Sequence, residues 1–402
     1  MDNLASIING VLIIIMLAIF GTWLYLFAYT MKTFKRAPSI KSRDSGKRFH
    51  RFPKVSIILP ARNEEKYISK CLESLINQDY QNYEIIAVND SSTDMTERLM
   101  WSYAKTSSKI TVINARPTVK GWTGKNWACY EGYQKATGDV FLFTDADTVH
   151  SSNLLSLATG TMLEAGLDAL TIIPRLLCND FWTKITLPLL STFLHTRFSA
   201  LRVNNPEVKI GYFIGSFYIM TRRAYESVGT HKEIRHEIIE DRALGQRVKE
   251  QGLKMKMFRG EDHIEAIWAR DLRTLWNGLR RLVIPLYNED RFGVLLMITA
   301  VFFLLVEPFL FLPYPFLLDF NGSVNNIWSC VLFDVTLSII IVIFLMNIIQ
   351  LKLALFENPL YAFFSPIGCV IIFISFISSV VDANKKDAIS WRNRKYSIDR
   401  KH

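Results

Sequence analysis

The sequence has few cysteines, no internal repeats and no low-complexity linker. Its five cysteines are odd in number and include no pair with zinc-site spacing, which argues against a zinc module and a disulfide framework. We expect all five to be reduced packing residues, consistent with a cytoplasmic catalytic part. His195, His231, His236 and His263 also lack metal-ligand spacing, so we assign them no chemistry.

The net positive charge is concentrated in two segments, and the rest of the chain has no basic excess. Residues 32–54 carry nine Lys/Arg and one Asp (+8), and residues 384–402 carry seven and two (+5). The total formal charge is +10, so the remainder is near −3. Both basic segments adjoin apolar stretches, which is the positive-inside pattern of membrane proteins. We therefore expect no nucleic-acid partner, and nucleic-acid binding is only a minor alternative.

Half of the residues are hydrophobic (50%), and long apolar stretches occur near both ends of the chain. Ile7 to Met31 is long enough to cross the ~30 Å hydrocarbon core as a helix. It does not resemble a cleaved signal, because Asp2 stands where Lys or Arg is usual and the run is too long. Three further stretches lie at about 293–319, 327–350 and 360–381.

These stretches predict an odd number of crossings after the central region. Placing both basic segments on the cytoplasmic side requires an even number. The first stretch contains Glu307-Pro308, Pro313 and Pro315, so it is the candidate for a kinked, re-entrant or in-plane element.

Between the apolar stretches, short strands and helices alternate, which predicts a mostly parallel α/β sheet. The predicted strands are 55–60, 84–89, 110–113, 140–144, 168–173 and 213–221, with a strand pair in 254–268. The predicted helices are 68–76, one ending near 105, 126–137, 238–251 and 272–284. Residues 181–203 predict either an amphipathic helix on the membrane surface or an ordinary core-facing helix.

The strongest candidate for chemistry is the apolar strand at Val140 that ends in Thr144-Asp145-Ala146-Asp147. In open α/β sheets, ligands bind just beyond the carboxyl ends of the strands. Two carboxylates there suit Mg²⁺ or Mn²⁺, which can neutralise a diphosphate. The simpler interpretation is an acidic turn that ends a strand.

Four motifs occur in order: Pro60-Ala61-Arg62-Asn63-Glu64, Val88-Asn89-Asp90-Ser91-Ser92-Thr93-Asp94, Thr144-Asp145-Ala146-Asp147 and Glu240-Asp241. Their order over residues 54–285 resembles the family 2 glycosyltransferases, which implies a GT-A nucleotide-sugar-binding fold, Rossmann-like with a mostly parallel sheet. Asn89 departs from the second Asp of many relatives. For Asn63-Glu64 and for Glu240-Asp241, the alternative is an ordinary helix N-terminus.

The resemblance implies a role for each matching residue. Donor-binding roles fall to Pro60, Ala61, Asn63, Glu64, Asp90 and Asp145. Asp145 and Asp147 would hold the metal, with Asp147 as the more direct ligand. Asp241 would be the general base, with Glu240 as the fallback, because inversion needs a carboxylate to deprotonate the acceptor hydroxyl.

The segment Lys120-Gly121-Trp122-Thr123-Gly124-Lys125-Asn126-Trp127 lies just before a predicted helix. Backbone amides and Lys125 there could hold phosphate, although the P-loop spacing is absent. The segment resembles one in membrane glycosyltransferases of carotenoid and hopanoid pathways, of the diaponeurosporenoate glucosyltransferase type. The terminal Ser390–Tyr396 segment is similar too, with Asn393 in place of a glycine. The alternative for this tail is a basic end attracted to anionic lipid.

Processive synthases of the family carry Gln-x-x-Arg-Trp where this chain has Trp276-Asn277-Gly278-Leu279-Arg280-Arg281. The missing motif argues against a cellulose- or hyaluronan-type polymerase. Trp122, Trp276, Arg280 and Arg281 are candidates for contacts with the acceptor or the diphosphate, and an interfacial anchor is the alternative for Trp276 and Arg280.

We predict five segments: a transmembrane helix (1–31), a basic linker (32–53), a GT-A domain (54–290), a transmembrane region (291–383) and a basic cytoplasmic tail (384–402). The predicted function is inverting, metal-dependent transfer of a sugar, UDP-linked by preference, to a lipid acceptor in the cell membrane such as a carotenoid or other terpenoid. The catalytic domain would face the cytoplasm. The alternatives are a processive polysaccharide synthase, a polyprenyl-phosphate glycosyltransferase or a nucleotide-sugar-binding module without activity.

Overall fold

The computed structural model describes residues 2–41, 53–314, 327–383, 385, 389–391 and 394–396. The chain forms two compact units. The α/β unit comprises residues 36–177 and 198–268, and the helical unit comprises residues 1–35, 178–197 and 269–402. Most of the predicted basic linker and tail, including Asn393, lies outside the described residues.

The α/β unit is built on a seven-stranded sheet with the order β3-β2-β1-β4-β8-β6-β9. Its strands are β1 (Val55–Ala61), β2 (Tyr83–Asn89), β3 (Ile110–Asn114), β4 (Val140–Phe143), β6 (Ala169–Ile173), β8 (Tyr218–Thr221) and β9 (Met255–Arg259). Strands β3, β2, β1 and β4 are parallel neighbours, and so are β6 and β9. Only β8 runs antiparallel to its neighbours β4 and β6 in this described sheet. The predicted mostly parallel sheet is confirmed.

A second sheet of three short strands has the order β5-β10-β7. These strands are β5 (Thr148–His150), β7 (Arg175–Leu176) and β10 (Ile264–Ala266). The predicted strand pair in 254–268 is therefore wrong as a pair, since β9 joins the large sheet and β10 joins the small one. Each strand is paired with a segment distant in sequence, which local pattern does not encode.

Helices pack on both faces of the large sheet and bury apolar side chains there. They are α2 (Ile68–Ile76), α3 (Thr96–Thr106), α4 (Gly124–Lys135), α5 (Leu154–Glu164), α7 (Ala200–Val203), α8 (Arg222–Ser227), α9 (Thr230–Glu233) and α10 (Glu240–Glu250). In α2 the buried residues recur at Ile68, Cys71, Leu72 and Leu75, which is the spacing of one helical face. Four cysteines of the chain are buried free thiols, and Cys330 is an exposed one.

Among its described residues, the helical unit contains four helices that are long and apolar enough to cross a membrane: Ile7–Arg36, Arg291–Phe311, Ser329–Leu355 and Pro359–Asp382. Its helices are α1 (Asp2–Arg36), α6 (Phe181–Arg197), α11 (Leu272–Glu289), α12 (Arg291–Val301), α13 (Glu307–Phe311), α14 (Ile327–Gln350) and α15 (Ser365–Asp382). A short antiparallel pair, β11 (Ile389–Trp391) and β12 (Arg394–Tyr396), completes the described part of this unit.

The first C-terminal stretch, predicted to be kinked, re-entrant or in-plane, contains a π-helical turn. A π-helix at Phe302–Val306 joins α12 to α13, with Pro308 at the start of α13. Proline has no backbone N–H and its ring crowds the preceding turn, and a wider turn accommodates both. The helix continues to Phe311, and Pro315 lies outside the described residues.

Helix α6 packs inside the helical unit, as in the core-facing alternative for residues 181–203. Residues 185–192 are buried, and a side chain at Gly368 of α15 would collide with the Ile185 carbonyl. Gln350 Nε2 donates a 3.4 Å hydrogen bond to Thr192 Oγ1. Small residues and polar side chains are the usual means by which apolar helices associate closely.

Candidate active site

The carboxyl ends of β1, β2 and β4 meet at one edge of the large sheet. Ala61 of β1 is paired with Asn89 of β2, and Ile58 of β1 is paired with Phe143 of β4. The loops after these strands carry the first three predicted motifs. Ligands of open α/β sheets bind at such an edge.

A charged cluster lies beyond β4 and is defined here as the Lys125 cluster: Lys125, Asp145, Gly215, Glu240 and Asp241. Lys125 Nζ is 2.7 Å from Asp145 Oδ1 and 2.5 Å from Glu240 Oε1. A Cβ atom added to Gly215 would lie 3.0 Å from Asp241 Oδ2, 3.3 Å from Asp145 Oδ2 and 3.4 Å from Lys125 Nζ. The structure thus brings four predicted site residues together around a residue without a side chain.

The charges in this cluster perturb one another. Burial raises the pKa of Asp241 to about 7, and the neighbouring Glu240 carboxylate adds to the rise, while Lys125 opposes it. Burial disfavours the charged form of Lys125, but Asp145 and Glu240 outweigh that effect and hold its pKa well above the usual value. Lys125 therefore stays protonated, and Asp241 has the pKa expected of a base that works near neutral pH.

Helix α4 positions Lys125 in its first turn. Thr123 caps the helix by accepting a hydrogen bond from the Asn126 N–H. The Asn126 side chain donates to the carbonyls of Ile234 and Glu237, at 2.8 and 3.0 Å. These bonds tie the Lys120–Trp127 segment to the chain that leads into α10, where Glu240 and Asp241 lie. The predicted phosphate-binding lysine is, in this structure, paired with carboxylates.

The irregular segment 211–217 forms another side of the cluster, and sequence reasoning missed its role. The predicted strand 213–221 is too long, since regular pairing begins at Tyr218. Gly211 lies against Gly245 of α10 so closely that a side chain at either position would collide with backbone. Thr144 Oγ1 donates to the Ser216 carbonyl at 2.7 Å and links the segment to β4. The glycines at 211, 215 and 245 are the sequence signal for this packing, because glycine permits close approach of the backbone.

The loops after β1 and β2 are fastened to each other. Arg62 Nη1 donates to the carbonyls of Asp90 and Ser91, at 2.5 and 2.9 Å. Asn63 adopts a left-handed conformation (φ 52°), and its Oδ1 accepts from the Thr93 N–H at 2.8 Å. The structure therefore brings together Ala61, Asn63 and Asp90. The Asn63 side chain braces the two loops.

Asn89 shows why an amide suits this chain where many relatives have Asp. Its Oδ1 accepts from the Ser92 N–H at 3.1 Å, and its Nδ2 donates to Asn114 Oδ1 at 2.9 Å. A carboxylate could make only the first of these bonds. The buried Glu64 and Asp90 lie beside these loops, and the Glu64 N–H donates to Thr96 Oγ1 at 2.7 Å.

The carboxylates of Asp145 and Asp147 suit a hard divalent cation that a substrate also helps to bind. Thr148 Oγ1 donates to the Asp145 carbonyl at 2.7 Å and holds the turn that carries Asp145 and Asp147, both partly exposed. No group of three His, Cys, Asp or Glu residues with metal-binding geometry occurs in the part of the chain that the structure describes. Mg²⁺ is commonly held by one or two carboxylates plus substrate phosphates and water, so two carboxylates fit that mode.

The remaining predicted residues lie elsewhere. Trp122 packs against Trp127 and Tyr130, with ring centroids 5.0 and 5.2 Å apart, in the α/β unit. Trp276, Arg280 and Arg281 lie on α11 of the helical unit. Arg280 pairs with Asp382 at 3.0 Å, at the end of the last apolar helix.

The comparisons with known proteins agree with the motifs. Residues 56–229 match the model of the family described as Glycosyl transferase family 2. A curated relative, 4,4'-diaponeurosporenoate glycosyltransferase of Staphylococcus aureus (strain USA300), is 30% identical over 214 residues, which cover 51% of this chain and 54% of the relative. The match thus spans about half the length of that relative.

A solved structure has the same fold over most of the chain. The mannosyltransferase PcManGT from Pyrobaculum calidifontis, in complex with GDP-Man and Mn²⁺, aligns with a TM-score of 0.55 at 17% identity. The alignment covers 93% of this chain and 98% of that chain. It confirms the GT-A-like fold, and residues 56–229 within that fold are the part of the chain that is similar to the family 2 glycosyltransferases.

Proposed function

We propose that this protein transfers a sugar, with inversion, from a nucleotide-sugar to a lipid acceptor held in a membrane. The observation that carries the proposal is the Lys125 cluster, which assembles Asp145, Glu240 and Asp241 around Gly215 at the ligand-binding edge of the sheet. The family domain supplies the reaction class. PcManGT, which has a similar fold, was solved with GDP-Man, which supports a nucleotide-sugar donor.

The donor would lie across the loops after β1, β2 and β4. Ala61, Asn63, Glu64 and Asp90 would contact the nucleoside, with Pro60 fixing the end of β1. Asp145 and Asp147 would hold Mg²⁺ or Mn²⁺. When bound, such a cation neutralises charge on the leaving diphosphate. Mn²⁺ in the structure of PcManGT supports this assignment.

Asp241 would act as the general base. Inversion requires the acceptor hydroxyl to attack the anomeric carbon opposite the leaving diphosphate, with its proton passing to a carboxylate. A Cβ at Gly215 would lie 3.0 Å from Asp241 Oδ2, so the absence of a side chain at this residue lets the Asp241 carboxylate lie close to the backbone of segment 211–217. Glu240 is the second candidate, but its pairing with Lys125 favours Asp241.

A lipid acceptor is supported by the four apolar helices of the helical unit. The name of the relative, 4,4'-diaponeurosporenoate glycosyltransferase, supports a carotenoid or another terpenoid. The basic segments on either side of the family domain favour its location on the cytoplasmic face of the cell membrane. A processive synthase is the second candidate, and the absent Gln-x-x-Arg-Trp motif disfavours it.

The test is transfer of labelled sugar in native membranes. A panel of UDP- and GDP-sugars is incubated with lipid extract and Mg²⁺ or Mn²⁺, using the parent, Asp241→Asn and Asp147→Ala. Label in the organic phase, lost in both variants and with a chelator, is the expected result. Label in a high-molecular-weight aqueous product would indicate a polymerase. Equal nucleotide binding without turnover in all three proteins would indicate a binding module.

A further inference from the structure

Lys125 forms an ion pair with one carboxylate oxygen of Asp145, which is also a ligand of the proposed metal. Its Nζ lies 2.7 Å from Asp145 Oδ1, within direct ion-pair distance. Asp145 has only its two carboxylate oxygens, and Oδ2 lies on the Gly215 side of the cluster. A divalent cation bound to Asp145 repels an ammonium at that distance, because both are positive and the site is only partly exposed to solvent.

The ammonium has a second anchor that a metal at Asp145 leaves in place. Lys125 Nζ is 2.5 Å from Glu240 Oε1, and the Glu240 side chain is only 7% exposed. The backbone of Lys125 lies in the first turn of α4. Its flexible side chain can therefore move the ammonium away from Asp145 while the backbone stays fixed. A diphosphate bound with the metal would offer this displaced ammonium a new anionic partner.

We propose that Lys125 is a built-in counter-cation that a divalent metal displaces from Asp145, so that metal binding and diphosphate binding assist each other. The inference rests on the proposed function, because it takes Asp145 as a metal ligand. Without ligands, Lys125 offsets the negative charge of Asp145 and Glu240. With metal and nucleotide bound, the metal contacts Asp145 and the ammonium turns to the diphosphate.

This exchange has a thermodynamic consequence. The metal must break an ion pair when it binds alone, but part of that cost is returned when a diphosphate receives the ammonium. By linkage, nucleotide diphosphate must tighten metal binding by the same factor as metal tightens nucleotide binding, and such coupling is typically ~5–150-fold. Removing the ammonium should strengthen metal binding alone and weaken the coupling.

The experiment measures Mn²⁺ binding to the full-length protein in detergent, from the electron paramagnetic resonance signal of free Mn²⁺, with and without UDP or GDP. The proteins are the parent, Lys125→Met, Lys125→Arg and Lys120→Met. Lys120 is an exposed residue of the same segment, so Lys120→Met removes an equal charge outside the cluster. Asp147→Ala tests the metal site itself.

For Lys125→Met we expect a Kd for Mn²⁺ without nucleotide about tenfold lower than the parent value, and a coupling factor that falls about as much. Lys125→Arg should bind Mn²⁺ no more tightly than the parent, because arginine holds carboxylate at least as well. Lys120→Met should match the parent. Because the expected gain is in binding, an unfolded Lys125→Met protein cannot mimic it, and Lys125→Arg tests the opposite direction.

Unchanged or weaker Mn²⁺ binding by folded Lys125→Met would overturn the exchange. So would equal tightening with and without nucleotide, which is the signature of a general charge effect. Tighter binding by Lys125→Arg would also overturn it. Equal Mn²⁺ binding by the parent and Asp147→Ala is a different result, since it would remove the metal site of the proposed function itself.

Discussion

Gly215→Ala tests whether the Lys125 cluster is the reaction centre. The added methyl would lie 3.0 Å from Asp241 Oδ2 and 3.3 Å from Asp145 Oδ2. Both distances are shorter than comfortable carbon–oxygen contacts, so the two carboxylates must move by a few tenths of an ångström or the segment 211–217 must shift. Misplacement of reacting groups by ~1 Å can cost ~100-fold in rate. We therefore expect kcat/KM to fall about 10- to 100-fold.

The same change should affect stability little. Replacing glycine by alanine stabilises by ~0.4–1 kcal/mol through the unfolded chain, and overpacking costs ~1–3 kcal/mol. The net change in the free energy of unfolding is thus about 0–2.6 kcal/mol in the unfavourable direction. Sugar transfer to lipid and the Tm of the detergent-solubilised protein are measured on the same preparation.

Gly160→Ala is the matched control. Gly160 lies in α5, and nothing stands within 4 Å of the position of its added Cβ. Alanine in a helix interior is favoured over glycine by ~0.5–1 kcal/mol, so Tm should hold or rise and activity should stay at the parent level. Activity of Gly215→Ala within twofold of the parent would refute our placement of the reaction at this cluster. Equal losses in both variants would show an effect unrelated to the site.

Three further predictions concern pH and packing. Burial raises the pKa of Asp241 to about 7, and a base must be deprotonated, so kcat/KM should fall about tenfold per pH unit below that value; a flat profile from pH 5 to 8 would contradict its role as base. Hydrogen bonds from four donors outweigh burial and lower the pKa of Glu84 to about 2. Glu84→Gln should therefore lower the free energy of unfolding at pH 7 by ~1–3 kcal/mol and lower Tm accordingly. The difference in Tm from the parent should shrink as pH falls from about 4.5 towards 2, as thermal scans at several pH values would show. Gly368→Ala would push a methyl against the Ile185 carbonyl and should lower Tm. Gly21→Ala, which has open space at its Cβ, should not lower Tm. Equal Tm values for the two variants would contradict close packing of α6 on α15.

The alternation of strands and helices predicted most of the α/β unit, because each element carries its own period of buried residues. Strands β1 to β4 and β6 fall within one residue of their predicted bounds at each end. Two predictions failed for one reason: 213–221 and 254–268 depend on partners distant in the chain. The segment before Tyr218 is irregular because Gly211 and Phe213 pack on Gly245 of α10, a contact that no local pattern specifies.

The site was predicted to different degrees for its different parts. The carboxylates Asp145, Glu240 and Asp241 could be found from the sequence. Asp145 directly follows an apolar strand, and Glu240 and Asp241 lie at the start of a predicted helix. Lys125 was also found, but with another partner, since a lysine beside glycines suggests phosphate until its surroundings are known. Gly215 was missed, because a residue without a side chain acts only through the space it leaves.

The sequence by itself indicated the resemblance to glycosyltransferases, the apolar helices and the acidic residues of the cluster. These depend on residue type, local spacing and segment length, which are present in the unfolded chain. Only the tertiary structure decided that Lys125 pairs with Asp145 and Glu240, that β8 runs antiparallel between β4 and β6, and that Gly215 lies against Asp145 and Asp241. Each of these depends on the distance between groups far apart in the chain, which exists only after folding.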